Sequence, residues 1–439
     1  MNKYNFILVF LAFSVFLSGQ ETTLRLSLKD AVETGVKNRY DLQAADYNLD
    51  IANNDISRAK KEWLPDVSAS GNVHINTQLQ KLFIPAGFAG LEDPMLVGLG
   101  AYNVSVFGVD VSQPIYNKNI KTDMAIARNN LELEREKKRE VENNIRERIE
   151  QSYLNVLLRD LQYRIAQNNE QRYKAYFELA ETKFRQGALI ENDYLKARLD
   201  LDNAAVETQK ARQNYELSLT NLKYQINIAP ETELILTDSL ESIDLATGMV
   251  PVQAATANRS EIRQLNIMEE GNRLKALHAR QMSLPTLSAF GNFSEQFTYN
   301  GLNFFQSEWW SSFSYVGVRL RVPITARTQN RLLESDFTIR TVQTGLNLKQ
   351  RTADISYQIR NAATELDNAR QNMETTRNNY ELSQTIYKNQ QVQYDLGALQ
   401  YNHLLDTEKA LSAAEQNYIQ AVYQFLLAEI GYRKAAGVF

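Results

Sequence analysis

A phrase from the middle of the chain returns near its end. Residues 184–195 read FRQGALIENDYL and residues 394–405 read YDLGALQYNHLL, so Gly-Ala-Leu at 187–189 recurs at 397–399, an offset of 210 in 439 residues. KNRYDL (37–42) answers to ANRSEI (257–262), and LPDVSASG (64–71) to LPTLSAFG (284–291), both at an offset of 220. FGVDVSQPI (107–115) answers to VGVRLRVPI (316–324) at 209. The fall in offset makes the first copy about 11 residues longer between its Leu-Pro and Pro-Ile phrases, and such length changes collect in loops. The chain therefore reads as two copies of one plan, 22–229 and 251–435, joined by a polar linker at 230–250.

Each copy predicts the same order of elements. A helix of about 33 residues comes first (28–61, then 253–282), and a Leu-Pro ends it, because proline lacks the N–H and restricts the residue before it. Two strand-like segments follow, at about 66–80 and 102–115 in the first copy and about 285–299 and 312–323 in the second. A helix of about 67 residues comes next (about 118–185, then 327–394), closed by Gly187 or Gly397 at a turn. A last helix of nearly 40 residues completes the copy. The first and last helices laid end to end match the long one, which spans about 100 Å.

The strands are long and two-faced. In 66–79, Val67, Ala69, Gly71, Val73, Ile75, Thr77 and Leu79 fall on one face, and Asp66, Ser68, Ser70, Asn72, His74, Asn76 and Gln78 on the other. In 314–322, Val316, Val318, Leu320 and Val322 oppose Gly317, Arg319 and Arg321. One apolar and one polar face suit a membrane barrel with a wet lumen; a soluble hairpin packed on helices is the plainer alternative. Arg319 and Arg321 then either line a pore or pair with a local acid such as Asp110. Four strands cannot close a barrel, and lipid does not tolerate an open edge, so the barrel reading requires an oligomer; three copies give twelve strands. Trp309 and Trp310, with Phe304, Phe305 and Phe313, read as an interfacial girdle near the strand tips or as a hydrophobic plug.

Composition narrows the function. Lys and Arg number 48 against 52 Asp and Glu, so the near-neutral charge does not suit nucleic acid. The chain has no cysteine, which excludes disulfides and thiolate chemistry, and its three histidines are scattered. No nucleophile and base pattern, metal spacing or phosphate loop occurs, so neither enzyme activity nor a cofactor is expected. At the N-terminus, Lys3 precedes an apolar run from Phe6 to Leu17 and then Ser18 and Gly19, which reads as a signal peptide over 1–19 rather than a membrane span. Gln20 stands where a lipoprotein would need cysteine.

Along the long helices an apolar seam recurs in steps of three and four. It runs through Ile359, Leu366, Met373, Tyr380 and Tyr387 in the second copy and Ile149, Val156, Tyr163, Tyr173 and Phe177 in the first. The other faces are polar, which suits a wall wetted on both sides.

This ordered set, twice over, resembles the TolC-like outer-membrane efflux channels across about 24–435. The resemblance implies a mainly α protein with membrane β: a homotrimer whose twelve-stranded outer-membrane barrel continues into a periplasmic helical barrel. It implies a passive exit duct for tripartite efflux or type I secretion. Its partners would be a periplasmic adaptor (membrane fusion) protein, an inner-membrane RND or ABC transporter, and outer-membrane lipid. The glycine turns would lie at a periplasmic aperture. The family ties its hairpins through an acid and a tyrosine, here Asp193 and Tyr394. An arginine often joins them, but Leu399 stands in its place. Carboxylate rings can occupy two further positions, here His403 and Asp406, so only Asp406 keeps the carboxylate. His403 is either a surface histidine of the hairpin or a group whose protonation alters cation entry or closure, and Asp193 and Asp406 read otherwise as solvated helix-end residues. A structural or adhesive coiled-coil protein of the envelope is the alternative; it explains the helices but not the amphipathic strands.

Overall fold

The computed structural model describes residues 23–90, 92–240, 242–243, 250–396, 398–399 and 401–439. The expected signal peptide and Gly397 lie outside them. The chain divides into two compact units. Of the described residues, one holds those within 23–42, 141–258 and 355–439, the other those within 43–140 and 259–354.

In the first unit, β1 (Leu24–Leu26) leads into helix α1 (Leu28–Asn38). Ser27 and Asp30 form a reciprocal capping box that satisfies the first free N–H groups of α1. The expected single helix is broken at Arg39, whose backbone is extended (φ −67°, ψ 125°), and resumes as α2 (Tyr40–Lys61). The Arg39 guanidinium bonds Asp41 and lies over the Tyr224 ring. The second copy repeats the device in the other unit. Arg259 (φ −70°, ψ 131°) interrupts helices later in the chain and bonds Glu261 two residues on. The shared Asn-Arg-x-acid phrase is therefore a helix break rather than helix interior.

The second unit carries the sheet. Four strands lie in the order β2 (Asp66–Ile75), β5 (Asn103–Tyr116), β7 (Thr286–Tyr299), β8 (Trp310–Arg321), each antiparallel to its neighbour. The first copy departs from the sequence expectation here. Its first strand ends at Ile75 rather than near 80, and a separate hairpin of β3 (Gln80–Ile84) and β4 (Met95–Leu99) occupies the connection. That hairpin accounts for the extra length of the first copy. The ladder of β5 with β7 shifts register between Pro114, which still pairs with Ser288, and Tyr116.

Helix α3 (Lys118–Arg185) follows β5, and α4 (Glu191–Ile226) returns from it. Strand β6 (Leu234–Leu236), inside the expected linker, pairs in parallel with β1. The second copy continues with α5 (Val252–Asn258), α6 (Ser260–Gln281), β7, β8, α7 (Ala326–Asp395) and α8 (Tyr401–Ala436).

The core of the first unit gathers Ile149, Tyr153 and Leu154 of α3, Leu222 and Ile226 of α4 and Ile430 of α8, all fully buried. The Tyr153 hydroxyl donates to Leu26 O (3.1 Å) and Asp238 Oδ2 (2.9 Å), which stitches α3 to the small parallel sheet. Arg433 of α8 donates to Glu150 of α3 at 2.9 Å. Burial raises the Glu150 carboxyl above its ordinary range against the opposing pull of Arg433. Seam residues Ile149, Val156, Ile359 and Leu366 are buried, while most of α7 is exposed.

Candidate functional site

Two regions, one in each unit, carry the features singled out from the sequence. The first is the pair of helix turns. Gly187 adopts φ +71°, a conformation L side chains rarely take. Its N–H donates to Phe184 O (2.9 Å) and that of Ala188 to Lys183 O (2.8 Å). These are the two bonds of a Schellman motif, which use carbonyls that the helix end leaves free. At the second turn Ala398 N–H donates to Gln393 O (2.9 Å), the equivalent outer bond.

The ends of the two long helices approach each other within the protomer, where Lys183 Nζ of α3 lies 5.9 Å from the centroid of the Tyr394 ring of α7. Asp193 sits exposed in the first turn of α4, where a carboxylate suits the positive helix end. Tyr194 fills the turn, its ring centroid 5.0 Å from that of Phe184 and 5.7 Å from that of Phe177.

His403 and Asp406 lie one turn apart on α8, both exposed, with exposed Lys409 a further turn on. The opposite face of that turn is fixed by buried Leu404, Leu405 and Glu408. Glu408 went unnoticed in the sequence. Arg172 Nε of α3 donates to its Oε1 (2.5 Å), and the same guanidinium bonds Asn169, whose Nδ2 donates to Ser412 Oγ (3.0 Å). Burial, then the Glu408 charge, raises Tyr176 beside it far above the ordinary tyrosine range. This network ties the long helix of the first repeat to the last helix of the second. Its one signal in the sequence is an acid three and four residues after two leucines that must face inward.

The second region is the sheet. The register sorts side chains onto two faces. One carries Val67, Val109, Val111, Ala289, Phe293, Val316, Val318 and Leu320 in cross-strand rows. Val316 is 90% exposed, Val318 67% and Leu320 65%. The other face carries Ser68, Ser70, Asn72, Asp110, Asn292, Gln296, Arg319 and Arg321. The two arginines thus share the polar face with Asp110 without pairing to it. Asp110 accepts from Asn292 Nδ2 (2.9 Å), and Arg319 stacks 4.6 Å from the centroid of the Phe290 ring. Gly317 opposes Phe290 and makes room for the ring; a Cβ there would lie 2.9 Å from its Cζ. Exposed Arg321 opposes Thr286.

At one end of the sheet Trp310 packs against Phe297 (5.3 Å between ring centroids), and its Nε1 donates to Phe304 O (2.9 Å). Trp309 packs against Tyr299 (4.9 Å) and stays 41% exposed. Strands β2 and β8 are free edges of the sheet in the protomer. Among the described residues, no helix is long and apolar enough to cross a membrane.

Residues 33–226 match the model of the outer membrane efflux protein family. No curated protein matches the chain at a significant level. Its fold is similar to that of CusC, at TM-score 0.74 and 16% identity over 93% of this chain and 92% of that one. The outer membrane channel CmeC of Campylobacter jejuni gives 0.71 at 17% identity, over 93% and 85%. The open state of the Neisseria gonorrhoeae outer membrane channel MtrE gives 0.73 at 14%, over 93% and 88%. At such identities the likeness establishes fold. The family match thus covers less than half of the chain, while the fold of these solved outer membrane channels is shared over nearly its whole length.

Proposed function

We propose that the chain is one protomer of a trimeric outer-membrane exit duct that serves a tripartite efflux or type I secretion system. One observation carries this reading: an open four-stranded antiparallel sheet with an exposed apolar face, a polar opposite face and two unpaired edges. In lipid every backbone N–H and C=O needs a partner, so the edges must be joined, and β8 of one copy on β2 of the next closes a ring without a free edge. The apolar face then meets lipid, Trp309 and Trp310 sit at the interface, and Arg319 and Arg321 line the lumen.

The helical part extends into the periplasm, where an adaptor and an inner-membrane RND or ABC transporter supply the driving force to a passive duct. The turns at Gly187 and Gly397 form its aperture. Asp193 and Tyr394 contribute to closure, with Lys183 on the tyrosine ring. Asp406 forms a ring of three carboxylates that attracts cations, and His403 beside it couples entry to pH. An envelope filament would leave the apolar face of the sheet without a role.

Single-channel conductance of the purified oligomer in planar bilayers tests the proposal. Cation-selective openings are expected, with selectivity reduced in Asp406→Ala and a changed pH dependence in His403→Ala. Openings that neither substitution alters would remove the aperture assignment. A well-folded oligomer that never conducts, even with Tyr394→Ala, would remove the duct.

A further inference from the structure

We propose that the β3–β4 hairpin of the first repeat docks on the 300–309 loop of the neighbouring copy and forms an apolar clasp at the rim of the closed barrel. This rests on the trimeric ring proposed above and adds to it an interface outside the strand ladder.

The hairpin belongs to the first repeat alone; the matching connection of the second repeat, between Tyr299 and Trp310, holds no strands. Its ladder runs only from Gln80–Leu99 to Ile84–Met95. An isolated two-stranded hairpin is marginal in water. Its base is held, since Asn76 N–H donates to Tyr102 O (2.6 Å) and Asn76 Nδ2 to Ala101 O (2.8 Å). Its apolar side chains have no cover: Leu82 is 50% exposed, Phe83 61%, Phe88 64% and Leu96 59%. A solvated connection does not need so much apolar surface.

The second unpartnered patch is on the other loop. Phe304 turns inward to Phe297 (4.8 Å between centroids), while Phe305 is 99% exposed and Leu302 59%. An aromatic side chain this exposed lacks a partner among the described residues of its own chain.

Topology brings the two patches together. The hairpin follows Ile75, the last residue of edge strand β2, and the loop precedes Trp310, the first residue of edge strand β8. Neighbouring strands in the sheet alternate in direction, so a ring that joins β2 to the next copy's β8 does so antiparallel. The end of one strand then lies beside the start of the other. The hairpin of each copy stands next to Leu302 and Phe305 of its neighbour, at the end where Trp309 and Trp310 cluster.

The chain has no cysteine, which makes cross-linking clean. Chains carrying Phe83→Cys are co-expressed with chains carrying Phe305→Cys, and the native-sized oligomer is treated with a short bis-maleimide. A dimer band on a denaturing gel is expected only when both variants are present. Phe305→Asp is expected to speed dissociation of the oligomer about tenfold or more, and Phe305→Leu to stay within about threefold of wild type. An intact oligomer with neither the cross-link nor the faster dissociation would overturn the clasp and leave the ring standing. A cross-link confined to a single chain carrying both cysteines would overturn it too, because the hairpin would then close on its own loop. A wild-type chain that forms no oligomer would remove the ring reading and the clasp with it.

Discussion

Val316→Arg separates a lipid-facing sheet from a water-facing one. Val316 lies on the apolar face and is 90% exposed in the protomer. On the surface of a soluble protein, arginine there would change stability by about 0.5 kcal/mol or less. In a membrane barrel its depth decides the cost. With Trp310 at the interface, as proposed above, Val316 lies six residues along the strand, about 20 Å at 3.4 Å per residue. A tilt of about 40° reduces this to about 15 Å of depth, half the thickness of a hydrocarbon core of about 30 Å. At that midplane arginine costs about 2–4 kcal/mol per protomer, or roughly one and a half to three orders of magnitude in the folding equilibrium. Ser311→Arg, on the polar face of the same strand, is the control. The assay is denaturant unfolding of the oligomer refolded in lipid vesicles, read by tryptophan fluorescence and by migration on gels without boiling. Equal stability of the two variants would refute the face assignment, and with it the membrane reading of the sheet.

Three further outcomes follow from the helices. Arg172→Ala strands the buried Glu408 carboxylate and should destabilise the protein by about 3 kcal/mol, while Arg172→Lys should recover part of that, both read by chemical denaturation. Glu261 is pushed up by burial but pulled further down by hydrogen bonds and charge from Arg259, with help from Arg351, to about 2. Its contribution is complete above the ordinary value of 4.5 and is lost as pH falls toward 2. Stability should therefore drop by about 2–3 kcal/mol across that window, and a Glu261→Gln variant should have a flatter profile there. Gly187→Ala meets no neighbouring atom but must hold φ +71°, so it should cost about 1 kcal/mol and speed amide exchange of the last turn of α3, with no change elsewhere.

Helix ends and strand faces were legible because their causes are local. Pro65 and Pro285 follow helices, Gly187 follows Arg185 of α3, and alternation in 314–322 marks an exposed apolar face that the register also gives. The helix breaks at Arg39 and Arg259 were missed because both arginines are good helix formers. At each break the backbone is extended and the arginine side chain bonds an acid two residues on. The β3–β4 hairpin was missed because alternation continues to Leu79 without interruption, so the end of β2 at Ile75 is set by its partner strand rather than by composition. The Arg172–Glu408 pair joins helices 236 positions apart, beyond any window of periodicity.

The sequence alone showed the repeated phrases, the places of the long helices and of the main strands, and which strand residues share a face, because each is written in local spacing and in the repetition of that spacing. The tertiary structure alone decided which strands are neighbours and which are edges, that Lys183 takes the Tyr394 ring, that Arg319 rests on Phe290 rather than pairing with Asp110, and that Glu408 is buried with Arg172. Pairing and burial depend on what another part of the chain brings to the same place, and no stretch of sequence carries that by itself.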